Sequence, residues 1–202
     1  MKKIMILGLF IFLFTSMAQA TILDFEDLYH NDDAVAGHGY SYEMNGFLLT
    51  NTSIEFPFAG LGTEAYGYSG STALFNDNAQ GETILTRVGN GFFSLISIDL
   101  SELYAPDDED PLEDWVVFQG ILADSSIVSQ TFTLDGLTGV ETFFFGPEFA
   151  DVISVSWTQS DYFHQFDNIH AAPVPEPSSL LLLGLGLMAA MGCRRQVETR
   201  SR

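Results

Sequence analysis

The side chains of this sequence most able to do chemistry are carboxylates. Twenty-five of the 27 Asp and Glu residues fall within 21–172, where Arg87 is the one Lys or Arg, so this stretch carries a formal charge of −24. Carboxylates gathered in one place are the hard oxygen ligands that Ca²⁺ takes. An acid excess of this size also confers solubility in a salty exterior, where screening weakens self-repulsion. It repels nucleic acid and anionic lipid, which argues against a DNA-binding or peripheral-membrane role for 21–172. The densest run is 107–114, with six acids in eight positions. It lacks the alternating ligands and the glycine of an EF-hand loop and reads as a solvated loop, whose internal repulsion a bound cation would relieve.

Catalytic constellations are sparse, and the expectation is a non-catalytic protein. Gly67-Tyr68-Ser69-Gly70-Ser71 misses the nucleophile-elbow pattern by one position and falls in a loop between strands. His30, His38, His164 and His170 have no zinc-like spacing. The one cysteine, Cys193, lies near the C-terminus, so 21–172 has no disulfide, thiol nucleophile or cysteine-ligated metal. Among the aromatic residues, Trp115 and Trp157 sit inside apolar runs and read as core. Tyr66 and Tyr68, in a glycine-rich loop, and Tyr162, beside Asp161, are better placed to stack against sugar rings.

These groups must be positioned by β-structure. Ile96, Ile98 and Leu100 alternate with Ser97, Asp99 and Ser101, and Val128, Phe132 and Leu134 alternate with polar neighbours. Near-continuous apolar or β-branched runs cover 46–49, 83–88, 115–122, 140–145 and 152–157. Turn signals separate them at Gly60 and Gly62, 67–70, Gly89-Asn90-Gly91, Asp135-Gly136 and Gly146-Pro147. No stretch of 21–172 keeps a helical period for three turns. Nine or ten short strands, each with one apolar face, predict an all-β antiparallel sandwich of jelly-roll type.

Both ends lie outside this fold. Lys2 and Lys3 precede an apolar run at 4–14 and then Ala18-Gln19-Ala20, the three parts of a secretory signal peptide. At the other end, Val174-Pro175-Glu176-Pro177 is followed by the apolar stretch 178–193 and by Arg194, Arg195, Arg200 and Arg202. As a helix, 178–193 would be about 24 Å long, a little short of the roughly 30 Å hydrocarbon core. Local thinning and snorkelling of Arg194 and Arg195 let such a segment span as a single transmembrane helix. The arginines then stay cytoplasmic and everything before Pro173 lies outside. The expected organisation is a signal peptide at 1–20, an exported body at 21–172 and a tail at 173–202.

That order of Pro-Glu-Pro, apolar helix and arginine-rich end looks like the PEP-CTERM sorting tail of exported proteins from Gram-negative bacteria. The resemblance implies recognition and cleavage by an exosortase in organisms that make extracellular polysaccharide. Val174, Pro175, Glu176, Pro177, Arg194 and Arg195 are its motif residues. It also implies export through the inner membrane, transient anchoring, a final place at the cell surface or in the extracellular matrix, and phenotypes such as biofilm formation.

The body carries a second resemblance. Leu23-Asp24-Phe25-Glu26-Asp27, Tyr42, Gly46-Phe47, Ala73-Leu74-Phe75-Asn76, Phe132-Thr133-Leu134 and Gln165-Phe166-Asp167-Asn168-Ile169 follow in an order similar to PEP-CTERM proteins with an uncharacterised jelly-roll-like body. More distantly the body resembles carbohydrate-binding modules of jelly-roll fold, in which carboxylates from the first and last strands often share a structural calcium. That likeness nominates Asp24, Glu26, Asp27 and Asp167 as Ca²⁺ ligands. Asp24 and Glu26 would share one face of the first strand while Phe25 enters the core, and Asp167 would meet them where the first and last strands pair. Carboxylates that close repel one another unless a cation lies between them. Without one, they are the polar residues of a sheet edge that discourage edge-to-edge association. The favoured function is a non-catalytic surface or matrix protein sorted by an exosortase. The alternative is a polysaccharide-binding, calcium-dependent module.

Overall fold

The computed structural model describes residues 19–103, 115–137, 139–160 and 163–175, with Gly184 and Gly186 in the tail. The strands are β1 (Thr21–Leu23), β2 (Val35–Gly39), β3 (Ser41–Met44), β4 (Phe47–Asn51), β5 (Phe58–Leu61), β6 (Leu74–Asn76), β7 (Glu82–Arg87), β8 (Phe93–Glu102), β9 (Trp115–Leu122), β10 (Ile127–Thr133), β11 (Glu141–Phe144), β12 (Val152–Thr158) and β13 (His164–Pro173). The expected runs become β4, β7, β9, β11 and β12. The additional strands are short and glycine-containing, such as Val-Ala-Gly-His-Gly in β2 and Phe-Ala-Gly-Leu in β5, and have no clean alternation to announce them.

Every pairing is antiparallel. One layer runs β2-β5-β6-β13-β8-β11, with β1 beside β6 on the same flank of β13. The other runs β3-β4-β7-β12-β9-β10, and one residue pair, Val152 with Phe93, joins the two. Aromatic side chains fill the space between them. Phe166 of β13 meets Trp157 of β12 edge-on at 5.2 Å, and Phe93 of β8 meets Phe47 of β4 at 5.3 Å. Edge-to-face geometry aims the positive rim of one ring at the negative face of the next. A second, smaller core of Ala59, Leu61, Phe75 and Leu103 lies on the outer side of the first layer, with Ala65, Tyr68 and Phe163 packed on it.

Two expectations are corrected. Ile96, Ile98 and Leu100 do not share a face: Ile96 is exposed, whereas Phe93, Leu95, Ile98 and Leu100 are buried. The inward phase changes within β8, where the register with β13 shifts between Asp167 and Ala171. Asp24 and Glu26 do not share a strand face either. β1 stops at Leu23, Phe25 takes a left-handed conformation (φ 51°) that buries its ring completely, and Glu26–Leu28 forms a 3-10 turn.

No helix of the described residues is long and apolar enough to cross a membrane. The expected transmembrane helix, most of the signal peptide, the acidic run 107–114 and Tyr162 lie outside the described residues.

Candidate functional site

The middle of the outer face of the second layer is a nearly uncharged platform, with Glu82 of β7 at its border. Ser41, Thr50, Ile84, Ser156, Gln119 and Ser129 stand abreast on its six strands, and Glu43, Leu48, Thr86, Ser154, Ile121 and Ile127 form the next row. None of the twelve is buried, and Glu43 is the single charge among them. At about 4.8 Å per strand the platform is roughly 24 Å across. Trp115 opens β9 on the same face, opposite Thr133, and is 64% exposed. That corrects its reading as core, while Trp157, at 2%, is buried as expected. The strict alternation of β9 decides it: Val116, Phe118 and Gly120 face in, so Trp115, Val117, Gln119 and Ile121 face out.

The four nominated acids divide into two pairs. β1 pairs β13 in register, Leu23 with Ile169, which brings Glu26 and Asp167 to one hydroxyl. Ser71 Oγ lies 2.6 Å from Asp167 Oδ2 and 3.2 Å from Glu26 Oε1, while Thr72 Oγ1 donates to Glu26 Oε2 at 3.2 Å. One hydroxyl proton cannot serve both carboxylates. Burial pushes Asp167 up to about 7, so below that pH a protonated Asp167 donates to Ser71, which donates to Glu26. Asp27 instead accepts from the Tyr42 hydroxyl, and burial raises the Tyr42 pKa, with the charges of Asp27 and Asp24 adding to it.

Tyr66 is exposed on the loop between β5 and β6, and Tyr68 on the same loop is half-buried over the small core. Gln165 pins this loop by donating to the Gly67 carbonyl at 2.7 Å.

Carboxylates converge elsewhere. Glu102, Asp135 and Glu141 each bring one oxygen within 4.8 Å of the others', the one such acidic group of three among the described residues. Successive amides of the β10–β11 connection hold them: Gly136 N–H donates to Glu102 Oε1 at 2.8 Å, Asp135 N–H to Glu141 Oε1 at 3.1 Å and Leu137 N–H to Asp135 Oδ1 at 2.9 Å. This group could hold a metal ion. A signal for it was present in the sequence, since Glu102 continues the inward phase of Ile98 and Leu100 and places an acid where an apolar residue belongs.

At the opposite end of β8, β13 runs out into the tail. Pro173 is its last residue, paired with Phe93, and Val174 N–H donates to the Phe92 carbonyl at 2.9 Å. Prolines at 173, 175 and 177 have no N–H to give a ladder, so pairing ends here. Residues 173–196 match the model of the PEP-CTERM protein-sorting motif. The chain carries an exosortase sorting tail. The PEP-CTERM motif makes it an exported protein, transiently membrane-anchored before cleavage.

No curated protein matches the chain. Solved structures that the chain matches include carbohydrate-binding modules. A CBM29-2 variant complexed with mannohexaose is 13% identical, over 77% of this chain and 92% of that one, with a TM-score of 0.44. The C-terminal family 22 module of Clostridium thermocellum Xyn10B is 11% identical, over 68% and 92%, at 0.38. The CBM22-1 xylan-binding domain of Paenibacillus barcinonensis Xyn10C is 10% identical, over 79% and 97%, at 0.37.

Proposed function

We propose that this is a non-catalytic protein delivered by an exosortase to the cell surface or extracellular matrix, with the acidic sandwich as the displayed part. One observation carries the reading: the sorting motif begins at Pro173, the residue that ends β13, so the tail is the direct continuation of a central strand. In this reading Val174, Pro175, Glu176 and Pro177 form the stiff entry that the enzyme recognises, 178–193 spans the membrane, and Arg194 and Arg195 stay on the cytoplasmic side. Deleting 175–202 should move the protein out of the envelope fraction in an unprocessed form, with the melting temperature of the sandwich changed by no more than about 2 °C. A truncated chain found in the same fraction, processed to the same mass, overturns the proposal.

A second reading, that the sandwich also binds extracellular polysaccharide, is favoured by the platform around Trp115. On a body of charge −24, a face with one charge in two full rows suits an uncharged glycan, and the exposed indole offers a flat apolar surface to a sugar ring. The probe is the producing organism's own extracellular polysaccharide in a co-sedimentation assay. Saturable binding is expected, weakened at least tenfold by Trp115→Ala, the loss of about 1.4 kcal/mol or more. If Tyr66→Ala, Tyr68→Ala or Tyr162→Ala weakens binding and Trp115→Ala does not, the loops and not the platform make the contact.

A further inference from the structure

Glu102 is an anomaly that neither reading uses. It is the last residue of β8, is 4% exposed, and its side chain points inward in phase with Ile98 and Leu100. Gly136 satisfies Oε1, while Oε2 is buried with no hydrogen-bond partner among the described residues. A buried carboxylate oxygen left in that state is costly. Two more carboxylates, Asp135 and Glu141, close on the same point.

Nothing cationic among the described residues answers them. Arg87 is the only Lys or Arg between 21 and 172, and it reaches toward the Val174 carbonyl at the tail end of the sandwich. Glu102 is nine residues along β8 from Phe93, about 30 Å from that end at roughly 3.3 Å per residue. The histidine facing Glu102 across the strand pair, His164, is fully buried and held neutral at ordinary pH, its pKa pushed down to about 3 by desolvation.

We propose that Glu102, Asp135 and Glu141 form a binding site for a divalent cation of the Ca²⁺ class at the end of the sandwich remote from the tail. Oxygens bound to one Ca²⁺ at about 2.3–2.6 Å lie no more than about 5 Å apart, a limit the three carboxylates meet as they stand. The donor set is oxygen only, which suits Ca²⁺ and not Zn²⁺, whose sites draw on histidine and cysteine. Three protein carboxylates around one ion also suit Ca²⁺ better than Mg²⁺, which keeps most of its water. The amides of 135–137 hold one oxygen of each carboxylate and leave the other without an amide donor from this connection. The site is separate from the Glu26–Asp167 pair and independent of the sorting tail.

The test is calcium titration of the full chain in detergent micelles, after chelator treatment, by calorimetry and by melting. One saturable site and a rise in melting temperature of about 5 °C or more in 10 mM CaCl₂ are expected. Asp135→Asn, at an exposed position, should weaken binding at least tenfold without unfolding the protein. Glu102→Gln should melt higher than the parent in chelator, because a neutral amide replaces a buried charge, yet lose the calcium-dependent rise. Glu26→Gln and Asp167→Asn should leave the titration unchanged. Absence of both heat and melting shift overturns the proposal. So does a calcium response that survives Asp135→Asn and Glu102→Gln, or one that Glu26→Gln or Asp167→Asn removes.

Discussion

Phe166→Ala is expected to lower the unfolding free energy by about 3–5 kcal/mol, a large share of the roughly 5–15 kcal/mol typical of a domain. Phe166 is fully buried near the start of β13 and meets Phe25 at 5.9 Å, Phe58 at 6.0 Å and Trp157 at 5.2 Å, each edge-on. Those rings come from the segment after β1, from β5 and from β12, so one truncation opens a cavity that borders both layers. Close packing leaves the surroundings little freedom to collapse into it. The urea midpoint, followed by tryptophan fluorescence, should fall by more than about 1 M. Phe144→Ala, at 69% exposure on β11, serves as the comparison and should change stability by less than about 0.5 kcal/mol. Equal losses in the two variants would mean that the layers do not close on Phe166 as described.

The second large effect is on the pH dependence of stability, where two buried groups of β13 act in opposite directions. Burial holds His164 near 3, below the ordinary 6.5 of an imidazole, so the unfolded chain binds the extra proton. Its contribution is present above about pH 6.5 and is lost as the pH falls toward 3. Burial holds Asp167 near 7, above the ordinary 3.8, so here the folded chain binds the extra proton. Its contribution is present below about pH 4 and is lost as the pH rises toward 7. Between roughly pH 4 and 6.5 the two offset each other, and single substitutions should unmask them. Asp167→Asn should lose stability relative to the parent as the pH drops through that window, and His164→Gln should gain it. Each difference should approach about 1.4 kcal/mol per pH unit. Glu102, Glu141 and Asp77 are also raised by burial and His38 is also lowered by it. The comparison is therefore between variant and parent at each pH. Parallel curves for parent and both variants would refute the assignment.

What could be read from the sequence was what repeats or alternates. The β-rich fold and the strands β4 and β7 to β12 follow from apolar runs, period two and turn residues, and the burial of Trp157 from its place in an apolar run. β2, β3, β5 and β6 were harder, because strands of three to five residues with glycine carry too few positions to set a phase. Trp115 was misassigned because hydrophobicity alone cannot give the direction of a side chain on a strand with apolar residues on both faces. The nominated acids depended on a strand continuing through Phe25, and the left-handed turn there sends Asp27 to Tyr42 while leaving Glu26 beside Ser71. Glu102, Asp135 and Glu141 are 33 and 6 residues apart along the chain. Only the pairing of β11 with β8, Glu141 opposite Leu100, brings them together.

The place of β13 sets an order of events. It lies between β8 on one side and β1 and β6 on the other, and it supplies Phe166 to the core. In a chain delivered N-terminus first, this interior strand is the last to arrive. Until it does, three earlier strands lack a neighbour and the ring at the centre of the core is missing. The ten residues that close the sandwich stand immediately before the sorting motif, so on the proposed reading, in which 178–193 spans the membrane, the last strand and the anchor arrive together.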